Sequence, residues 1–194
     1  VGSLQIFKAE TTGPTTDKLT PKIGQTAKML YLVYLLITVA QIFTLKIAGM
    51  SLYDSLIHSF GTVGTGGFSN YNASVGHFQK PAYEWIIAIF MFVSGVNFSL
   101  YYDVLHGNIR TLLKDREFRL YTFLVLMAIA MIAININNTV YHDAGESIRQ
   151  SSFHVLSITS TSGFAAADFD LWPDFSKMIL LLLMFFGACA GSTA

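Results

Sequence analysis

The chain contains 194 residues, of which 53% are hydrophobic and only 12% are charged, and its formal net charge is zero. Soluble proteins carry about 25% charged residues, so this chain has too little charge to cover a water-facing surface. The composition therefore excludes an ordinary soluble domain, and the balanced charge gives no reason to expect a nucleic-acid partner.

The first predicted element is a polar linker over residues 1–21. Eight of the 12 basic residues lie in or near this segment and in the loop Arg110–Arg119, and four lie on the other side of the predicted spans. Because cytoplasmic loops carry an excess of Lys and Arg, we expect the linker and this loop to be cytoplasmic. The sequence lacks an initial Met and ends within an apolar segment, so we expect it to be an internal fragment of a longer protein.

Four long apolar segments follow one another along the chain. A helix needs about 20 residues to cross about 30 Å of hydrocarbon, and each segment approaches that length, although the last is cut short. We therefore predict four membrane spans. They cover Met29–Ala48, Tyr83–Leu105, Phe118–Ile136 and Phe175–Ala190.

Two shorter segments, Ser51–Val63 and Ser147–Thr159, lie between these spans. About 12 helical residues reach only about 18 Å, too little to cross a bilayer. Each is followed by a stretch rich in Gly, Ser and Thr, which is typical of a helix that enters the membrane and turns back. Approximate capping boxes, Ser51 with Asp54 and Asp143 with Glu146, mark their starts.

The whole pattern repeats after 96 residues. This offset superposes Ser51 on Ser147, His58 on His154, Thr65 on Thr161, Gly67 on Gly163 and Phe68 on Phe164. The predicted fold class is thus an all-α membrane protein with potassium-channel-like tandem repeats of helix, re-entrant pore helix, filter loop and helix. We place the first repeat at residues 22–113 and the second, truncated in its last span, at residues 114–194.

The loops after the short helices are the candidate selectivity filter. Irregular backbone at membrane depth is tolerated where it lines a water-filled cavity, and backbone carbonyls can replace the hydration shell of a cation, as in the T-V-G-Y-G filter of potassium channels. The first loop reads T-V-G-T-G-G, and the C-terminal dipole of each short helix adds partial negative charge. The predicted ion-binding residues are Thr62, Val63, Gly64, Thr65, Gly66, Gly67, Thr159, Ser160, Thr161, Ser162 and Gly163.

Five further residues are predicted to support the filter. Phe68 and Phe164 directly follow the two loops, and Asn97 is a polar residue in an apolar span that we expect to face the protein interior. His58 and His154 occupy equivalent positions in the short helices. They favour a packing and hydrogen-bonding role, and the alternative is a haem or metal ligand pair in a redox membrane subunit.

At these residues the sequence resembles the Trk/Ktr/HKT superfamily of potassium transporters, over essentially its full length. Several motifs in the same order make the resemblance specific. They are Phe7–Pro14 with Lys18–Pro21, Thr62–Ser69, Asn97-Phe98, Thr161–Phe164 through Asp168 to Trp172-Pro173, and Gly187–Ala194.

The resemblance implies a non-enzymatic, multi-pass protein of the bacterial inner membrane that transports K⁺ and needs no cofactor. Members have four repeats around one pore, so this chain would hold the second repeat and most of the third. The first part of an intramembrane gating loop would lie at residues 187–194. Its predicted gate residues are Gly187, Gly191, Ser192 and Thr193. The implied partners are a second copy, forming a homodimer, and a cytoplasmic nucleotide-binding regulatory subunit of the TrkA-like type.

Two departures from the superfamily pattern concern the filter and the gate. Ala188 stands where many relatives have Gly, and Ser160 and Ser162 stand where Thr is usual. Neither departure removes a filter glycine. The serines leave open the alternative of a sodium-permeable pore for monovalent cations.

Overall fold

The computed structural model of the chain describes residues 23–105 and 107–193. The predicted linker at 1–21 lies outside the described residues. The described part contains helices and no strand, which confirms the all-α prediction. Its α-helices are α1 Ile23–Ile47, α2 Leu52–Val63, α3 Pro81–Ser94, α4 Phe98–Leu105, α5 Ile109–Lys114, α6 Arg116–Ile136, α7 Ala144–Thr159 and α8 Asp174–Leu183.

Two of the four predicted spans are long, apolar helices. The segments Ala27–Ile47, in α1, and Arg116–Tyr141, in α6 with its short continuation, are long and apolar enough to cross a membrane. The side chains of both helices are largely exposed on one side, where they would contact lipid or another part of a larger protein. The chain is therefore a membrane protein, as its composition predicts.

The predicted span over Tyr83–Leu105 is not one straight helix, because the chain bends by 94° between α3 and α4, which together remain long and apolar enough for a broken span. The bend begins at Gly95, which ends α3. The N–H of Phe98, the first residue of α4, donates to the carbonyl of Gly191 at 3.0 Å. Kinks arise where another group replaces the helical hydrogen bonds, and here a distant segment does so.

The fourth predicted span, Phe175–Ala190, also differs in the structure. Helix α8 ends at Leu183 after 10 residues, a length of about 15 Å that cannot cross a bilayer. Beyond Met184 the chain forms turns, and the N–H of Cys189 donates to the carbonyl of Gly95 at 3.0 Å. The end of the chain thus packs against the bend between α3 and α4.

The short helices α2 and α7 begin at the caps that the sequence predicts. The side chain of Ser51 accepts from the N–H of Asp54, and that of Asp143 accepts from the N–H of Glu146. Helix α7 is buried along most of its length, where it packs against α3, α6 and α8. The core thus surrounds a polar helix and fixes the loop that follows it.

Candidate ion-binding site

The backbones of the two predicted filter loops fold in the same way. Three backbone hydrogen bonds, each between 2.9 and 3.2 Å, recur at the 96-residue offset. They join the N–H to the carbonyl in Gly64–Phe60, Thr65–Thr62 and Gly67–Gly61 of the first loop and in Ser160–Leu156, Thr161–Ile158 and Gly163–Ser157 of the second. The repeat in the sequence is therefore also a repeat in loop geometry.

Both loops hold a threonine in the left-handed region of backbone space. The φ angles are 51° at Thr65 and 57° at Thr161, followed two residues later by 61° at Gly67 and 78° at Gly163. Positive φ is a genuine outlier for a β-branched residue and costs about 1–3 kcal/mol. Such strain persists where the surroundings impose it, and it clusters at ligand sites. The sequence did not reveal it, because threonine gives no signal for positive φ.

The two loops touch each other at Gly67. A Cβ atom built there would lie 1.7 Å from the carbonyl oxygen of Ser162, so only glycine fits. At Gly163 a Cβ would have no heavy atom within 4 Å in the described part of the chain. Equivalent glycines therefore have different neighbours.

The two predicted support phenylalanines also differ in their surroundings. Phe164 is 2% exposed, stacks on His58 with ring centroids 5.7 Å apart, and reaches to 2.9 Å from where a Cβ of Gly61 would lie. It inserts into the first repeat. Phe68 is 78% exposed. The second repeat thus supplies a peg, Phe164, to a socket formed by Gly61 and His58.

The first loop is anchored by a residue that the sequence interpretation missed. Gln41, fully buried in α1, donates from Nε2 to Oγ1 of Thr62 at 2.9 Å. The Thr62 hydroxyl donates in turn to the carbonyl of His58 at 2.6 Å. A glutamine inside an apolar segment was the available signal, since polar side chains in spans usually face protein.

In the second loop, Ser160 and Ser162 turn their hydroxyls into the protein. Both are buried, their Oγ atoms lie 3.0 Å apart, and the Ser162 hydroxyl donates to the sulfur of Met91 at 3.0 Å. Thr161 and Gly163, in contrast, are exposed. The two serine side chains therefore pack behind the loop.

Both histidines use their ring nitrogens within the protein. Nδ1 of His58 donates to the carbonyl of Asp54 at 2.8 Å, since a carbonyl can only accept, and Nε2 then accepts from the hydroxyl of Ser69 at 3.1 Å. In His154, Nδ1 and Nε2 lie 2.9 and 3.1 Å from the carbonyls of Gln150 and Ala167. This geometry supports the packing role and gives no support to a haem or metal site.

A buried carboxylate links the repeats at the other end of the pore helix. Glu84 of α3 is 4% exposed, and its Oε2 lies 3.0 Å from Nε of Arg149 and accepts from Nε2 of Gln150 at 3.2 Å. Arg149 also reaches Glu146 at 3.3 Å. A single acid within an apolar segment was the missed signal.

The predicted gate residues lie between the bend and the first loop. The Thr193 hydroxyl donates to the carbonyl of Ser94 at 3.2 Å, and the Thr65 hydroxyl donates to the carbonyl of Thr193 at 3.0 Å. Oδ1 of Asn97, in the bend, accepts from the N–H of Ser99 at 2.9 Å, and Gly191 lies against its amide group. Residue 193 thus contacts the first loop directly.

The same segment also forms a hydrogen bond with α6. Oε1 of Glu117, in the first turn of α6, accepts from the N–H of Ala190 at 2.8 Å. Gly187 is exposed, and Ser192 lies between the two contacts described. The segment from 187 to 193 is therefore held from both sides by hydrogen bonds.

Comparison with known proteins agrees with this architecture. The sequence profile of a family described as TrkH, cation transport protein, matches residues 1–194. The Trk system potassium uptake proteins TrkH of Salmonella typhimurium and of Escherichia coli K12 are each 41% identical over the whole chain. The chain covers 41% of the length of each, or about two fifths.

A crystal structure of the potassium transporter TrkH from Vibrio parahaemolyticus has the same fold. It superposes with a TM-score of 0.85 at 34% identity, over 90% of this chain and 38% of that one. A family profile that matches every residue, together with this shared fold, leads to one conclusion. The chain belongs to the TrkH family of cation transport proteins.

Proposed function

We propose that this chain contributes two of the loops that form a potassium-selective filter in a longer transporter. K⁺ is the transported ion, and no cofactor takes part. The recurring backbone of the two loops supports this most directly, since both carry the same strained residues and the same hydrogen bonds. The relatives named potassium uptake proteins indicate the ion.

Backbone carbonyls are the groups through which the loops would bind the ion. Neither Thr62–Gly67 nor Thr159–Gly163 contains an acidic residue, and each loop directly follows the C-terminus of a pore helix. A helix C-terminus carries about half a negative charge, so α2 and α7 would stabilise a cation without a carboxylate. Desolvated carbonyls then replace its water.

The contacts between the loops suggest how a complete ring is built. Gly67 receives the carbonyl of Ser162, and the socket at Gly61 receives Phe164. These contacts are head-to-tail, and head-to-tail contacts generate rings when the rotation closes. In the complete protein, Gly163 would receive the following repeat, and Phe68 would insert into the preceding one.

The remaining assignments follow from the family and from the charge distribution. We propose that the repeats extend over residues 22–113 and 114–194, with the N-terminal side and the loop Arg110–Arg119 in the cytoplasm. The parent protein would be a homodimer in a bacterial inner membrane, bound to a TrkA-like nucleotide-binding subunit. The segment 187–193 would belong to its gate.

The test is ion flux through the complete protein in liposomes. We expect K⁺ to enter faster than Na⁺ at equal concentration. The carbonyl sites would compensate the free-energy cost of dehydrating K⁺ more fully than that of dehydrating Na⁺. Equal flux of both ions would establish a sodium-permeable pore, and flux of neither would refute the assignment. The absorbance spectrum of the same preparation serves as a control, since a haem band would require a redox function.

A second prediction concerns the proposed gate. Replacing Thr65 with valine keeps the branched shape but removes the hydroxyl that holds the carbonyl of Thr193. One net hydrogen bond contributes about 0.5–1.5 kcal/mol, so the open fraction should rise about 2- to 10-fold. The measurement is K⁺ flux through the complete protein without its regulatory subunit.

Its matched control is Thr139→Val, which removes an exposed hydroxyl bonded only within its own helix. The ratio of K⁺ to Na⁺ flux must also be recorded, because Thr65 belongs to the proposed filter. An unchanged flux in Thr65→Val, equal to that of the control, would mean that this hydroxyl does not hold the gate.

A further inference from the structure

A groove of about 600 Å³ lies where α5 meets the first turns of α6. It is at one end of the second helix that can span the membrane. Its lining consists of two arginines, Thr122 and apolar side chains. The lining residues include Arg116, Arg119, Leu113, Leu120, Phe123 and Leu126.

The positive charges around this groove are not neutralised within the described structure. Arg116 and Arg119 are three residues apart, so they are neighbours on one helix face. Arg110 and Lys114 of α5 lie close by in sequence, and all four side chains are exposed. None of them forms an ion pair with a residue in 27–104 or 107–193.

The two acids beside the arginines are engaged elsewhere. Oδ1 of Asp115 accepts from the N–H of Phe118 at 2.7 Å, capping α6. Oε1 of Glu117 accepts from the N–H of Ala190 at 2.8 Å. Both carboxylates therefore bind backbone amides, and the arginines remain available to an external anion.

The apolar part of the groove continues along the face of a membrane span. Leu120, Phe123 and Leu126 are 59%, 62% and 61% exposed. The exposed apolar face extends from Leu120 to Ile134, a distance of about 21 Å along the helix. One leaflet of hydrocarbon is about 15 Å thick, so this face is long enough to follow an acyl chain.

We propose that this groove binds an anionic phospholipid of the bilayer, with its phosphate between Arg116 and Arg119. One acyl chain lies along Leu120, Phe123 and Leu126. A guanidinium forms paired hydrogen bonds with phosphate oxygens, and the cationic end next to an apolar face matches an anionic headgroup attached to hydrocarbon. Each basic residue near a membrane surface raises the affinity for anionic lipid about fivefold.

The test is lipid binding by the complete, delipidated protein, measured by native mass spectrometry. Phosphatidylglycerol is titrated in parallel with phosphatidylcholine of the same acyl chains. We expect the unmodified protein to prefer phosphatidylglycerol, and the variant R116Q/R119Q to lose about 30-fold in that affinity. The control variant K46Q/K177Q removes the same charge elsewhere and should keep it.

A conservative variant distinguishes the loss of the lipid site from misfolding of the protein. R116K/R119K retains the charge but not the paired hydrogen bonds, so its preference for phosphatidylglycerol should be intermediate. Equal affinity of the unmodified protein for both lipids would overturn the proposal. It would also be overturned if R116Q/R119Q kept the lipid preference but lost the dimer or the regulatory subunit, since the groove would then be a protein interface.

Discussion

We expect replacement of Gly67 with alanine to abolish potassium uptake by the complete protein, whereas replacement of Gly145 with alanine should leave uptake unchanged. A Cβ at Gly67 would lie 1.7 Å from the carbonyl oxygen of Ser162, on a backbone with φ of +61°. Neither atom can move without shifting one of the two candidate filter loops, because the contact is with backbone. The carbonyl proposed to bind the ion would be displaced.

The control, Gly145, lies in the first turn of α7. A Cβ there would meet the carboxylate of Asp143 at 3.5 Å, which is ordinary contact distance. Alanine is also the better helix former by about 1 kcal/mol. The assay is growth at low K⁺ of bacteria that lack other K⁺ uptake systems, with protein levels measured in the membrane.

The variant Gly163→Ala distinguishes between a filter built as a complete ring of repeats and a filter built from these two loops alone. The described structure leaves open space around this glycine, so a filter made of these two loops alone would tolerate alanine at the cost of backbone strain. In a ring of equivalent contacts, alanine there is as damaging as at Gly67. If Gly67→Ala itself transported K⁺ with normal selectivity, the close contact would not belong to a filter.

We expect replacement of Arg149 with leucine to destabilise the protein by about 3 kcal/mol, at the lower end of the range for breaking a buried ion pair. Glu84, 4% exposed, would remain buried after losing the guanidinium 3.0 Å away. Because Glu84 is on α3 and Arg149 on α7, the loss also loosens the pore helix. Potassium selectivity should fall together with stability.

The double variant Glu84→Leu, Arg149→Leu provides the decisive comparison. Removing both charges leaves no unpaired carboxylate, so we expect most of the lost stability to return. The measurement is the midpoint of denaturant-induced unfolding of the complete protein. Lys177→Leu, which breaks an exposed pair with Asp174, should change little. A double variant no more stable than Arg149→Leu would show that the pair does not link these helices.

Local sequence patterns were sufficient to predict α1, α2 and α6 and the caps of the two short helices. The lengths of α1, α2 and α6 follow from apolar runs, and the caps at Ser51 and Asp143 from short-range side-chain chemistry. The bend after Gly95 could not be predicted in this way. It depends on hydrogen bonds to Gly191 and Cys189, more than 90 residues away, and the sequence of α3 and α4 alone remains apolar enough for a span.

The candidate site, too, could be predicted from the sequence only in part. The 96-residue offset identified both loops, but equivalent sequence positions did not imply equivalent surroundings. Phe68 and Phe164 match in sequence, yet one is exposed and the other fills the socket beside His58. Gln41 and Glu84 escaped notice because single polar residues carry no motif, although each stands alone in an apolar run.

The head-to-tail contact of Phe164 with Gly61 and His58 bears on how such a protein is made. Domains that emerge first from the ribosome generally fold first, but a repeat whose socket awaits the next repeat cannot complete its own loop. Each newly inserted repeat would finish its predecessor, and the last would have to meet the first. Filter assembly would therefore be a late step in biogenesis, coupled to release of the whole chain.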